Sequence, residues 1–196
     1  MAVTMEQVKN ILTRDEPNYM EAAQLGAEAI PHLKQLLQEE DTLLASKATY
    51  LASMINSDQS ADVVKEASQS EHVEVRAAAA AATRNLPQSP NMDVLSSLLD
   101  DGDVSVRKVT LKSIRALGDS GADFGEAKPK SAAKKGAKKA AAKKGAGKKG
   151  AAKKGAKKEA ADEEDTGLLA KIRRLAEDDA DPYIREVASE TLNQLP

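Results

Sequence analysis

The fold of this chain is decided by residues 100–117, which read DDGDVSVRKVTLKSIRAL. Asp103 is a favourable N-cap, because its carboxylate accepts backbone N–H groups of a helix that follows. The apolar face of that helix consists of Val106, Thr110, Ile114 and Leu117, which recur at helical spacing. The stretch therefore predicts one amphipathic helix that begins after Asp103, and Gly118 is expected to end it.

The same apolar pattern recurs at a fixed interval. Equivalent stretches lie at residues 38–55, 69–86 and 178–195. Ala45, Arg76 and Arg107 occupy equivalent positions, each 31 residues after the one before. Arg185 follows Arg107 by 78 residues, which is one interval plus 47. An insertion of 47 residues, close to 119–165, therefore separates the last two copies.

Each repeat contains a second, preceding amphipathic stretch, so the repeating unit is a pair of helices. Such a unit of about 30 residues cannot bury its own apolar face, and neighbouring units have to stack. The sequence predicts an all-α protein, an α-solenoid of about five antiparallel helix pairs. Pairs one to four are assigned to residues 1–118 and the fifth to residues 166–196, packing on the fourth. Residues 119–165 are predicted to be a disordered loop with acidic flanks, because neighbouring lysines repel and glycines disfavour helix.

Two of the repeats carry a family resemblance. Residues 21–41 read EAAQLGAEAIPHLKQLLQEED, and residues 98–119 read LLDDGDVSVRKVTLKSIRALGD. They resemble HEAT repeats of the short type found in phycobilisome lyase-like proteins, and the resemblance covers all but the insertion. It implies a superhelix whose second helices line a concave surface that holds macromolecules. His72 replaces the turn aspartate and Ala45 replaces the arginine of the motif, so Asp–Arg contacts between repeats are expected to be interrupted there.

The charge of the chain is divided between two regions. The formal net charge is −2, but residues 127–158 contain 14 lysines and no acidic residue. The remaining residues hold 15 basic and 31 acidic side chains, a formal charge of −16. The sequence thus places a polycation inside an acidic protein.

The polycation is built from six Lys-Lys doublets separated by alanine and glycine, and it resembles the Lys/Ala-rich tails of linker histones. The doublets are Lys134 and Lys135, Lys138 and Lys139, Lys143 and Lys144, Lys148 and Lys149, Lys153 and Lys154, and Lys157 and Lys158. No aromatic residue alternates with them, so the segment predicts electrostatic binding to a DNA or RNA backbone without sequence readout. Other polyanions, and an inert or self-associating loop, remain alternatives. Acidic residues at 159–165 directly flank the lysines, and autoinhibition by this flank stays open.

Two further groups of charged residues recur on the second helices. An accessory basic stripe is predicted from Arg84, Lys108, Lys112 and Arg115, with a solvated helix face as the alternative. Structural contacts within and between repeats are predicted from Arg76, Asp103, Arg107, Asp181 and Arg185. A row of phosphate-binding arginines is the competing interpretation of the same positions.

The sequence offers little for catalysis. It contains no cysteine, and its two histidines, His32 and His72, lack the spaced partners of a metal site. No glycine-rich phosphate loop or nucleophile motif is present. The sequence therefore predicts a protein that is not an enzyme and has no cofactor. Without an apolar run of about 20 residues, we expect no membrane span. A monomer is expected in the cytoplasm, or on the nucleoid if it binds DNA.

The leading functional hypothesis is a non-enzymatic adaptor. Its HEAT-like solenoid would bind a protein partner, while its lysine-rich loop would bind nucleic acid. One alternative is a protein-only scaffold whose polycation engages acidic partners or the chain itself. A second alternative, from the family resemblance alone, is a lyase or chaperone-like HEAT protein.

Overall fold

The structure is a computed structural model, and it describes residues 2–86, 92–122, 124 and 167–195. Over these residues it contains helices and no strands, which confirms the predicted all-α class. The α-helices are α1 (Met5–Leu12), α2 (Tyr19–Ala22), α3 (Ile30–Leu36), α4 (Thr42–Met54), α5 (Ser60–Ala67), α6 (Val73–Ala82), α7 (Met92–Leu99), α8 (Val104–Asp119), α9 (Leu168–Asp178) and α10 (Pro182–Gln194). Two 3₁₀ helices lie at Ala23–Ala29 and Thr83–Asn85.

Side-chain caps fix the starts of several helices. Thr4 and Gln7 form a reciprocal capping box at α1. Asp103 accepts a 2.7 Å hydrogen bond from the backbone N–H of Ser105, and Asp181 caps α10 in the same way. These caps follow from local sequence, because each satisfies N–H groups that the first helical turn leaves unpaired.

The helices pack as neighbours in chain order. Within the described residues, α3 contacts α4, α5 contacts α6, α7 contacts α8, and α9 contacts α10. The second members of these pairs also contact each other in sequence, α4 with α6, α6 with α8, and α8 with α10. Ala79, Ala80 and Ala82 are fully buried, so α6 can approach both neighbours closely. The core is accordingly a series of apolar clusters along the chain.

The expected helix end at Gly118 is wrong. Helix α8 continues through Gly118 to Asp119, and the left-handed residue is Gly121, with φ of 83°. The backbone N–H of Ala122 donates to the carbonyl of Leu117 at 3.0 Å, as in a Schellman motif. Gly118 instead serves packing, because a Cβ atom there would lie 2.6 Å from Leu195 Cδ2.

The start of the predicted insertion belongs to the helical body. Asp119 is helical, and Phe124 is 5% exposed within the apolar cluster that also contains Leu168 and Ile172. Residues 125–165 of the predicted insertion lie outside the described residues. The chain is therefore anchored in one cluster on both sides of that segment.

Candidate functional site

The lysine doublets predicted to bind nucleic acid lie outside the described residues. What the structure gives is the position of the chain on either side of them. Phe124 precedes them and Leu168 follows them, and both side chains belong to one apolar cluster with residues of α8 and α10. The described residues on either side of the lysine-rich segment, residues 127–158, therefore lie in the same apolar cluster.

The predicted basic stripe lies along α8 beside α10. Lys108 Nζ lies 4.4 Å from the centroid of the Tyr183 ring, a cation–π contact. Arg115 Nη1 lies 3.2 Å from Glu190 Oε2. Lys112, between them, is exposed. A phosphate bound here would compete with Glu190 for Arg115, which weakens the stripe as an anion site.

The fourth member of the stripe, Arg84, lies on the 3₁₀ helix Thr83–Asn85, which contacts α8. Its Nε donates to the carbonyl of Ala81 at 3.2 Å. Arg84 is exposed and near α8, so it can extend the basic surface. It has no ion pair within the described residues.

Arg76 connects two successive helix pairs. Its Nε and Nη2 donate to the two carboxylate oxygens of Asp101 at 2.7 and 3.0 Å. Its Nη1 donates to the carbonyls of Ser70 and Glu71, both at 3.0 Å, in the turn before its own helix. The guanidinium therefore fixes one turn against the next with a bidentate, charge-assisted contact.

Arg107 makes the same contact one repeat later. Its Nε and Nη2 donate to Asp179 at 2.8 and 2.9 Å, and its Nη1 donates to the carbonyls of Asp101 and Gly102. The partners are 72 residues apart in sequence, so this pair joins α8 to the helices beyond the insertion. We refer to the Arg76–Asp101 and Arg107–Asp179 pairs as the Arg–Asp contacts.

The acceptor aspartates were not predicted as site residues. The sequence predicts that Asp103 and Asp181 contact the arginines as well as capping their helices. In the structure these two residues are N-caps, and the carboxylates that form ion pairs with the arginines belong to Asp101 and Asp179. The available signal was the motif Asp-x-Asp-x-x-x-Arg, whose first aspartate stands two residues before the cap. That first carboxylate also accepts the backbone N–H of the second aspartate.

The acceptors carry perturbed pKa values. Burial raises the pKa of Asp179, but hydrogen bonds from Arg107 and from the backbone N–H of Asp181 outweigh burial and leave it below its usual value. The pKa of Asp101 is lowered by the same balance of burial against Arg76 and the Asp103 N–H. Both carboxylates therefore stabilise the fold in their ionised form.

Arg185 ends the series within the described residues. Its Nη1 donates to the carbonyls of Asp179 and Ala180, at 2.5 and 3.5 Å, as the earlier arginines do in their own turns. No described carboxylate pairs with it. The competing interpretation of a phosphate-binding arginine row does not suit Arg76 or Arg107, whose donors are already bound to protein oxygens.

The junction between α4 and α6 has no Arg–Asp contact. Ala45 is buried at the arginine position, and Ser70 stands at the position of Asp101. His72 occupies the cap position of α6 without a side-chain cap bond. The interruption predicted from Ala45 and His72 thus coincides with a junction where an apolar cluster stands in place of the arginine. Polar contacts nearby are made by Glu66, which pairs with Lys34 at 3.0 Å and accepts a hydrogen bond from Gln38 at 2.8 Å.

The remaining candidate residues are structural or unassigned. His32 Nε2 lies 2.9 Å from the carbonyl of Val3 and so fixes the segment before α1. Among the described residues, no group of His, Cys, Asp and Glu is arranged to hold a metal ion. No helix in the described part of the chain is long and apolar enough to cross a membrane.

Comparison with known proteins adds no assignment. No protein-family model matches the chain, and no curated protein sequence matches it.

Proposed function

We propose that this protein is a non-enzymatic adaptor, in which a HEAT-like α-solenoid holds a protein partner and the lysine-rich segment tethers the assembly to nucleic acid. The observation that carries the proposal is the segregation of charge. Fourteen lysines without an acidic residue occupy positions 127–158, inside a chain that is otherwise strongly acidic. Such a block binds phosphate backbones by releasing counterions, and it needs no shaped pocket to do so.

The helix packing supports the solenoid part of the proposal. Contacts of α4 with α6, α6 with α8 and α8 with α10 are those of stacked two-helix repeats. The repeated guanidinium geometry of Arg76 and Arg107 supports the same interpretation, because equivalent side chains make equivalent contacts one repeat apart. Stacked repeats present an extended surface, which suits a binding protein better than an enzyme.

The anchorage of the lysine-rich segment supports its role as a tether. Phe124 and Leu168 hold its two flanks in one cluster, so the segment can bind a polyanion without disturbing the stacked helices. Two exposed basic side chains lie near helix α8 and can add to the basic surface of the lysine-rich segment. They are Lys112, on α8 itself, and Arg84, on the 3₁₀ helix that contacts α8. The absence of aromatic residues between the lysines favours binding without sequence specificity.

The proposal is tested by binding to duplex DNA, RNA and heparin across a salt series, measured by fluorescence anisotropy. If about half of the 14 lysines engage duplex DNA, log affinity should fall with log salt at a slope of about −6. A full-length variant with the twelve doublet lysines replaced by glutamine should lose this binding. The matched control replaces Lys108, Lys112 and Arg115 with glutamine and should retain most of it. Equal DNA retention after deletion of residues 127–158 would refute the tether.

A second candidate is a protein-only scaffold, favoured by the formal charge of −16 outside the lysine-rich segment. In that case the polycation would engage acidic protein surfaces instead of nucleic acid. Duplex DNA would then leave the hydrogen-exchange pattern of residues 127–158 unchanged. Equal binding to heparin and DNA would instead indicate a general polyanion-binding segment.

A further inference from the structure

A cavity of about 450 Å³ lies at the junction that lacks an Arg–Asp contact. Its walls come from the turns before α4 and α6, together with Glu66 and Ala67 of α5 and Val75 of α6. Leu37, Ala67 and Val75 supply an apolar side, whereas Glu39, Glu40 and Ser70 supply polar groups at the two turns. The cavity is thus suited to a ligand with an apolar stem and a polar head.

The repeat interval identifies what occupies the equivalent position elsewhere. The position of Glu39 corresponds to Ser70 one repeat later, that of Glu40 to Glu71, and that of Ser70 to Asp101. Ser70, Glu71 and Asp101 are the residues that bind the guanidinium of Arg76. The cavity therefore lies where an arginine head group sits in the next junction. Ala45, which replaces that arginine, is too short to reach it.

In the turn before α4, the backbone carbonyls equivalent to those that bind Arg76 and Arg107 have no arginine donor. The carbonyls of Ser70 and Glu71 each accept a hydrogen bond from Arg76, and those of Asp101 and Gly102 accept from Arg107. No hydrogen bond from a described residue reaches the equivalent carbonyls of the turn before α4. Carbonyls that accept no hydrogen bond from a described residue, beside a cavity, favour a ligand that carries several N–H donors.

The side chains around the cavity add negative charge. Glu39 is paired with Lys9 at 2.7 Å, and Glu66 is paired with Lys34 at 3.0 Å. Glu40 and Glu71 also line the cavity, and neither carboxylate forms an ion pair with a described residue. Negative charge therefore remains for a cationic ligand after the internal pairs are made.

We propose that this cavity binds an arginine side chain presented by a partner polypeptide. Its aliphatic stem would lie against the apolar side of the cavity. Its guanidinium would donate to the backbone carbonyls of Glu39 and Glu40 and to the carboxylate of Glu40 or Glu71. Arginine fits better than lysine because a planar fork with five donors can bind a carboxylate and two carbonyls together, as Arg76 does. The lysine-rich segment does not supply this group, because residues 119–165 contain no arginine.

This inference rests on the proposed adaptor function, since it specifies the chemistry of the protein partner. It remains separable from the tether, because DNA binding is measured through the lysine doublets. Glu40→Gln/Glu71→Gln should weaken the arginine site and leave the salt slope of DNA binding unchanged. Conversely, the variant with glutamine in place of the twelve doublet lysines should lose DNA binding and keep arginine binding, which would show that the two functions are independent.

The experiment uses the isotope-labelled full chain and three capped pentapeptides, Gly-Gly-Xaa-Gly-Gly with arginine, lysine or citrulline at the centre. We expect the arginine peptide to shift the amide signals of residues 38–41 and 69–72 saturably. The lysine and citrulline peptides should bind about 10-fold more weakly, as charge-assisted bidentate contacts are lost. Ala45→Arg should abolish binding by filling the cavity from within. Glu40→Gln/Glu71→Gln provides a surface variant that does not alter the core, and Glu186→Gln on α10 is its matched control.

Several outcomes would overturn the assignment. Equal affinity for the arginine and citrulline peptides would show that the cavity does not recognise the charged guanidinium. Persistent binding in Ala45→Arg, with the fold intact, would place the peptide elsewhere. If the protein dimerises and Ala45→Arg alone abolishes the dimer, a second copy fills the cavity instead of a partner. If glutamine in place of the lysine doublets shifts the same amides without peptide, the chain's own segment fills it.

Discussion

Replacing Arg107 with alanine tests whether the Arg–Asp contacts hold the helix pairs together. In the native pair, the Arg107 side chain is 11% exposed and that of Asp179 is 4% exposed. The variant removes two donors from Asp179, which keeps only the backbone N–H of Asp181 among its described donors. Removing one partner of a buried ion pair costs about 3–5 kcal/mol, because the remaining charge is left desolvated and unpaired. We expect about 3 kcal/mol, since Asp181 still supplies one hydrogen bond.

The assay is urea unfolding of the full chain followed by helical circular dichroism. The matched control is Arg115→Ala, which breaks an ion pair whose side chains are 33% and 53% exposed. An exposed pair contributes at most about 1 kcal/mol, so the control should unfold close to the wild type. Arg107→Lys should lie between the two, because lysine keeps the charge but loses the bidentate fork. If Arg107→Ala and Arg115→Ala lower the free energy of unfolding by the same amount, the Arg–Asp contacts do not hold the helix pairs together.

The same variant has a defined pH dependence. Arg107 helps to hold the pKa of Asp179 below its ordinary value of 3.8, against the effect of burial. A carboxyl group with a depressed folded pKa stabilises the protein above its unfolded pKa, and this stabilisation is lost as pH falls through the folded pKa. The stability difference between wild type and Arg107→Ala should therefore be largest near neutral pH and should shrink in the acid range below 3.8. A difference that stays constant into that range would contradict the electrostatic origin.

Two other substitutions test the anchorage of the chain on either side of the lysine-rich segment. Phe124→Ala should lower the unfolding free energy by about 3 kcal/mol, as for other buried aromatic side chains, and Phe124→Leu should recover most of the loss. A loss near zero in denaturant unfolding would mean that Phe124 does not anchor the segment. Gly118→Ala should change stability by less than about 1 kcal/mol, because higher helix propensity offsets the displacement of Leu195. Gly118→Leu should cost about 2 kcal/mol through overpacking against Leu195 and Phe124, and a thermal midpoint equal to that of Gly118→Ala would exclude this close contact.

Much of the helical structure could be predicted because it depends on neighbouring residues. Thr4, Asp103 and Asp181 stand directly before apolar periodic stretches, and an N-cap requires no more than that. The 31-residue interval alone predicts that Arg76 and Arg107 occupy equivalent positions. Their common geometry follows, because equivalent residues in successive helix pairs meet equivalent surroundings.

The features that could not be predicted depend on contacts between distant parts of the chain. Asp101 and Asp103 both precede α8, and only the approach of α6 selects Asp101 for Arg76. Gly118 resembles a helix stop locally, but its role is set by Leu195, which arrives from α10. Phe124 belongs to the predicted insertion, residues 119–165, and a single aromatic residue there gives no sequence pattern from which its burial could be predicted. Charge composition identified the lysine-rich segment without identifying its ligand.

The two Arg–Asp contacts close chain segments of very different length. Arg76 and Asp101 are 25 residues apart, whereas Arg107 and Asp179 are 72 apart. For a flexible chain, the longer closure costs about 0.9 kcal/mol more in entropy, because the cost grows with the logarithm of length. Contacts of high sequence separation also tend to form late in folding. The fifth helix pair is therefore the part of the protein whose docking is kinetically sensitive to the length of the segment between α8 and α9.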